Sequence, residues 1–173
     1  MPSSYQAPNR GDKERKTTFS QTQKTNLAKE TATVQKLIST KGNAVFSVRP
    51  GDTISTAVEI LRDRRIGALL VTDETGEMQG ILSERDIVRK LAETPGQTLP
   101  TKVEDVMTSN VVTCDLDNTL VDVLRRMTEG RFRHMPIMDN GKLAGMVTIG
   151  DVVTYRLNEL EHEALQLKQM IVG

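Results

Sequence analysis

The sequence predicts an α/β (α+β) fold: two β-α-β-β-α units packed with pseudo-two-fold symmetry into one module, with a long C-terminal helix behind and a disordered tail ahead. Three observations carry this prediction. The chain repeats itself: Val45-Phe46-Ser47-Val48-Arg49-Pro50-Gly51-Asp52-Thr53 matches Val111-Val112-Thr113-Cys114-Asp115-Leu116-Asp117-Asn118-Thr119, and Leu69–Asp73 matches Met135–Asp139, both at an offset of 66, while Gly80–Asp86 matches Gly145–Asp151 at 65. Each copy alternates short β-branched runs with segments whose apolar residues recur every three to four positions, the marks of strand and helix. The first 33 residues hold no Val or Ile and carry six basic and three acidic side chains, too little apolar surface to offset the entropy of ordering.

Taken in order, 1–33 is the tail; an organelle-targeting peptide fits its Ser, Thr and basic residues, but Asp12, Glu14 and Glu30 count against it. Repeat one is expected over 34–94. Val34, Leu37 and Ile38 share a helical face that Gly42 should end. Val45–Val48 is the first strand, and Thr53 caps a helix with Ile54, Ala57, Val58 and Leu61 on one side. Ile66–Thr72 is the near-continuous apolar run of a buried strand, Asp73-Glu74-Thr75-Gly76 turns the chain, and Met78–Leu82 returns antiparallel. Ser83 caps a helix carrying Ile87, Val88 and Leu91. A polar connector over 95–102 leads to repeat two, 103–155, where the short helix Val103–Met107 echoes Val34–Ile38. A strand at Val111–Thr113, a helix from Thr119, the hairpin His134–Met138 with Leu143–Val147 about Asp139-Asn140-Gly141, and a helix from Thr148 restate the first unit. One such unit is too small to stand comfortably alone, so two packed sheet against sheet should share a core.

Composition narrows the function. Lys plus Arg and Asp plus Glu are 23 each, which excludes a general polyanion-coating protein though not a local basic pocket. Aromatics are 3% with no Trp, so stacking platforms for single-stranded nucleic acid are scarce. A single cysteine, Cys114, excludes an intrachain disulfide and a multi-cysteine zinc site, and His134 and His162 leave little material for a metal. No apolar run approaches the roughly 20 residues of a membrane span. The expectation is a cytoplasmic protein with no membrane partner.

With two copies in register, residues 34–155 resemble the tandem cystathionine-β-synthase-type (CBS) domain pair, the Bateman module. The resemblance rests on the paired units, on Gly80-Ile81-Leu82-Ser83-Glu84-Arg85-Asp86 and Gly145-Met146-Val147-Thr148-Ile149-Gly150-Asp151, and on the strand Arg133-His134-Met135-Pro136-Ile137-Met138-Asp139. It implies adenine-nucleotide binding between repeats (AMP, ADP, ATP, NAD or an S-adenosyl compound), homodimers in which four repeats form a disc, and regulation without catalysis. With 18 residues after Tyr155 the chain reads as a stand-alone, bacterial-type pair.

Ser83 with Asp86 and Thr148 with Asp151 are Ser/Thr-x-x-Asp pairs, which are first of all helix capping boxes. A helix start also offers N–H groups and a positive dipole end to sugar or phosphate oxygens, and a carboxylate one turn in can accept hydrogen bonds from a ribose diol. The resemblance places ribose on that Asp and sugar or phosphate on the hydroxyl. Arg85 adds a charge partner and favours the first pair. Arg131-Phe132-Arg133-His134 leads into the middle strand of repeat two; if extended, the two arginines face one side and Phe132 and His134 the other. A solvated strand end explains such residues as well, but guanidinium forks match phosphate oxygens, and the resemblance sets nucleotide phosphate near Arg133 and His134. Repeat one has Arg65-Ile66-Gly67-Ala68 there, so one cleft should be richer in cationic side chains. Val45, Ile66, Gly67 and Ala68 are candidates for an adenine slot in one cleft and Val111 and Pro136 in the other, although small aliphatics in strands mostly just pack; Gly67 permits close backbone approach.

The extension 156–173 carries Leu157, Leu160, Ala164, Leu167 and Ile171 at spacings of three and four. A helix from Thr148 to about Ile171 is roughly 35 Å long. Its stripe can lie on its own domain, on the Thr33–Thr40 helix or on a partner chain, and a partner is favoured because an uncovered stripe invites association. Cys114 reads as a packed side chain just past a strand rather than a nucleophile, and His162 as solvated. The function that follows is a non-catalytic sensor: AMP, ATP or NAD as regulatory ligand, a homodimer, and an unidentified regulated protein. The rivals are a ligand-independent dimerisation scaffold, nucleic-acid binding through the tail and Arg131/Arg133, which the acidic remainder of the chain opposes, and an enzyme, for which a nucleophile–base pair is lacking.

Overall fold

The computed structural model describes residues 32–172. Helix α1 (Val34–Lys41) precedes β1 (Ser47–Val48), α2 (Ile54–Arg64), β2 (Ala68–Thr72), β3 (Met78–Ser83) and α3 (Glu84–Glu93); a 3-10 turn at Val103–Asp105 leads to β4 (Cys114–Asp115), α4 (Leu120–Gly130), β5 (His134–Asp139), β6 (Lys142–Thr148) and α5 (Ile149–Val172). The expected tail lies outside the described residues except for its end, where Ala32 is buried and the Thr33 hydroxyl caps α1.

Each repeat forms a three-stranded sheet, β1-β2-β3 and β4-β5-β6, with the first pair parallel and the hairpin antiparallel. The 66-residue offset survives in the register: Val48 pairs with Val71 and Cys114 with Ile137. Even the ladder irregularity is duplicated, between Val71 and Thr72 and between Ile137 and Met138. Thr53, Ser83 and Thr119 cap α2, α3 and α4 as their positions predict. Arg65 and Arg131 close α2 and α4 with φ of 54° and 55°, a left-handed geometry usually left to Gly. Arg131 is therefore not extended, and the expected alternation of Arg131 and Arg133 on one face does not hold.

The edge strands are shorter than expected. Hydrogen bonding to the middle strand defines them, and that strand offers β1 partners only from Leu70 and Val71, so Val45 falls before the strand. The second edge strand is not Val111–Thr113 but Cys114–Asp115, opposite Ile137 and Met138; Cys114 lies within it and is buried. Ile66 and Gly67 precede β2, because Arg65 has only just ended the helix.

The cores depart from expectation more deeply. The described residues form two clusters rather than one shared core, and each is completed by the short helix that precedes the other repeat. Val34 and Leu37 of α1 pack with Leu120, Met127, Met135 and Ile137 of repeat two. Val103 packs with Ile54, Leu61, Leu69 and Leu82 of repeat one. Backbone bonds explain the exchange. The first N–H groups of a helix have no partner within it; those of Ile54 and Ser55 find Thr101 O and Leu99 O at 2.9 and 3.0 Å, and that of Leu120 finds Ala32 O at 2.9 Å. The connector is thus a structural element, with Thr98 buried and donating to Thr94 O at 3.0 Å.

Helix α3 leaves Val88 and Leu91 exposed, and only Ile87 of its expected apolar face packs on the core. Helix α5 spans 24 residues, roughly 36 Å, and packs on repeat two through Ile149, Val152 and Tyr155. No helix among the described residues is long and apolar enough to cross a membrane.

Candidate functional site

Two strand-to-helix turns carry the candidate site residues Ser83, Asp86, Thr148 and Asp151. At Ser83 the backbone is extended, so its Oγ accepts the Asp86 N–H at 3.4 Å, while Asp86 Oδ2 accepts from Ser83 N–H at 2.9 Å and from the Ser83 hydroxyl at 2.6 Å. The Asp86 side chain is 11% exposed and its Oδ1 lies 4.0 Å from the Arg89 guanidinium. At the second turn Asp151 Oδ2 accepts from Thr148 N–H at 2.9 Å, and Thr148 Oγ1 accepts from Asp151 N–H at 3.1 Å. The next N–H in each turn is used in the same way: Glu84 donates to Gly67 O and Ile149 to Arg133 O, both at 3.0 Å. The ladders set Ala68 opposite Ser83 and His134 opposite Thr148, so each middle strand starts beside its own cap.

The charge partners break this symmetry. Lys41, at the end of α1, places Nζ 2.5 Å from Asp151 Oδ2 and donates to Met146 O at 2.7 Å. Burial alone would push the Asp151 carboxyl up, but the Lys41 ammonium and the Thr148 donors outweigh it and hold it below the usual carboxylate range. Sequence reasoning did not single out Lys41, because the contact spans 110 positions and leaves no local pattern. Lys41→Met is expected to destabilise the fold by about 1 kcal/mol in urea unfolding, the scale of a charge-assisted hydrogen bond in a partly exposed pair. A carboxylate with a lowered pKa stabilises the fold above its unfolded value, and that stability is lost as pH falls through the folded value. The variant should therefore begin its acid unfolding at a higher pH than the parent.

His134 joins the halves. A Cβ at Gly67 would lie 3.2 Å from its ring Cε1 and 3.6 Å from Glu84 Oε2. The close approach that Gly67 permits is thus made by a histidine of the other repeat. Burial lowers the His134 pKa; Glu84 and Asp151 oppose that, while Arg133 and Lys41 add to it. The lowered pKa favours the neutral ring over a standing positive charge. The unfolded chain takes up this proton first, near pH 6.5, so His134 erodes stability as pH falls below that value. His134→Gln is expected to flatten the fall in melting temperature between about pH 7 and 5; an unchanged slope would show that another group governs it.

Across the same junction the Arg85 guanidinium donates to the Arg131 carbonyl. Arg131 and Arg133 are exposed, Val45, Ile66 and Val111 are half-buried, and Ala68 and Pro136 are buried. An open groove of about 730 Å³ runs over Arg65, Ile66, Gly67 and Glu84; a second, of about 500 Å³ beside Phe46, Ser47 and Arg64, includes none of the candidate residues. Burial pushes the Cys114 thiol up to about 11, and its sulfur sits 3.7 Å from Pro136 O, the environment of a packing residue. Among the described residues no group of three His, Cys, Asp or Glu is placed to hold a metal ion.

The duplicated sheets, each ending in a capped carboxylate at its strand-to-helix turn, define a paired-repeat module. The CBS domain family model matches residues 34–93 and 103–158, and the chain belongs to that family as a CBS pair. It is similar to the Arabidopsis thaliana CBS domain-containing protein CBSX3, mitochondrial, at 31% identity over 83% of this chain and 74% of that one. The crystal structure of the CBS-domain containing protein ATU1752 from Agrobacterium tumefaciens is 42% identical, with a TM-score of 0.71 over 72% of this chain and 99% of that one. Two structures at 24% identity share the fold: the CBS domain pair of MJ0100 with 5-methylthioadenosine and S-adenosyl-L-methionine (TM-score 0.66, 75% of this chain, 99% of that one), and CBSX2 with AMP (TM-score 0.61, 73% and 97%).

Proposed function

We propose that this CBS pair is a non-catalytic cytoplasmic sensor. It binds an adenosine-containing nucleotide of the AMP, ATP or NAD class between its repeats, works as a homodimer, and passes occupancy to a regulated protein. The observation that carries the reading is the fixed Asp86 carboxylate: Ser83 holds one oxygen, and the other has a 4.0 Å partner on a largely exposed arginine. A ribose diol needs such an acceptor. Asp151 is the poorer candidate because Lys41 already neutralises it. The Arg85–Arg131 contact brings cationic side chains of both repeats to one junction, with Arg133 exposed beside it, and His134 supplies a neutral ring there. The adenosine-type ligands of MJ0100 and CBSX2 agree with this chemistry.

Ligand binding moves such a module only through different affinity for two packings of its repeats. Contacts such as Gly67–His134 and Arg85–Arg131, which cross the junction, are where that difference would arise. A thermal-shift panel of AMP, ADP, ATP, NAD and S-adenosylmethionine tests the proposal. Ligand at 100-fold its Kd stabilises by about 2.7 kcal/mol, a readily visible shift. No shift with any of them at millimolar concentration would favour the ligand-independent scaffold.

A further inference from the structure

We infer that the exposed stripe of α5 is the seam of a parallel two-stranded coiled coil with a second copy of this chain. The inference deepens the homodimer reading by naming its contact. Val153, Leu157, Leu160, Ala164, Leu167 and Ile171 alternate spacings of four and three, a heptad with Leu157, Ala164 and Ile171 at a and the other three at d. All six are exposed, Val153 at 47% and Ile171 at 83%. The helix meets its own module on a different face, through Ile149, Val152 and Tyr155. No Gly or Pro interrupts it after Gly150.

The flanking charges commit the occupant and its direction. Arg156 and Glu163 take g positions, and Glu161 and Lys168 take e positions. In a parallel pair each g meets the following e of the other helix. Arg156 then meets the partner's Glu161, and Glu163 meets the partner's Lys168, two attractive pairs. An antiparallel pair centred on the same seam would set Glu161 and Glu163 each against its own copy. Arg156 bonds Glu159 of its own helix at 2.8 Å, a surface pair that it can share or exchange at little cost. The parallel arrangement also puts both sensor modules at the same end of the coil.

Full-length protein with Cys114→Ala and Leu167→Cys tests this. Sedimentation velocity should show a dimer, and mild oxidation should cross-link Leu167→Cys severalfold faster than His162→Cys, which lies at f on the far face. Arg156→Glu should slow the cross-link and Arg156→Glu with Glu161→Arg should restore it. A monomer would overturn both this inference and the homodimer reading. A dimer in which Leu167→Cys fails to cross-link, or does so no faster than His162→Cys, would overturn the coil alone and leave a dimer through another face. Cross-linking indifferent to the Arg156 and Glu161 substitutions would overturn the charge-set parallel register.

Discussion

Asp86→Ala weakens AMP or NAD binding at least tenfold, about 1.4 kcal/mol, if Asp86 accepts the ribose diol as proposed. Isothermal titration calorimetry on the purified variant is the measurement. The substitution has a second consequence that must be separated from the first. Asp86 Oδ2 also accepts the Ser83 N–H, the return half of the α3 capping box, and loss of a cap costs about 1 kcal/mol of stability. Asp86→Asn keeps a side-chain oxygen for Ser83 and removes the charge. It should bind nearly as poorly as Asp86→Ala while melting closer to the parent. Asp151→Asn should cost less affinity, since Lys41 already occupies that carboxylate. Unchanged calorimetric affinity in both Asp86 variants would remove Asp86 from the site.

Gly80→Ala is expected to destabilise the fold by about 1–3 kcal/mol, the cost of overpacking a closed region, whereas the equivalent Gly145→Ala should stay within about 1 kcal/mol of neutral. A methyl group at Gly80 would sit 2.8 Å from both Met107 Sδ and Thr108 O. The methionine can swing away. The carbonyl is pinned, because Thr108 O accepts from Ile81 N–H at 3.0 Å and Thr108 N–H donates to Ile81 O at 2.9 Å. At Gly145 the nearest atom to such a methyl is Ile38 Cδ1 at 3.5 Å, an ordinary contact. Urea unfolding of the two variants side by side reads the difference, and equal effects would show that the second repeat is packed as tightly as the first. The contrast matters for the site because the pinned segment runs beside β3, the strand that delivers Ser83.

Much of this molecule was legible in one dimension. Thr53, Ser83 and Thr119 declared themselves as caps because a hydroxyl ahead of a helical apolar face has a local electrostatic reason to be there. Asn140 and Gly141 declared a hairpin because both must take positive φ, which the structure shows at 49° and 78°. Ile66–Thr72 declared a buried strand; the structure starts it at Ala68, and all five residues of Ala68–Thr72 are buried. The edge strands were legible only approximately, since two-residue pairings depend on what the neighbouring strand offers. The Ser83/Asp86 and Thr148/Asp151 motifs were visible as motifs, but the Lys41 partner that separates them was not.

The amino-acid order by itself determined the duplication, the helical and strand periods, the caps and turns, and through them the CBS-pair fold, because each rests on neighbours within a few residues or on a repeat at fixed offset. Tertiary packing alone decided that α1 completes the second core and Val103 the first, that His134 lies against Gly67, and that Lys41 neutralises one of two equivalent carboxylates. The physical reason is distance along the chain: these contacts join residues from about twenty to over a hundred positions apart, where two repeats of the same design offer no local cue to which partner fills which gap.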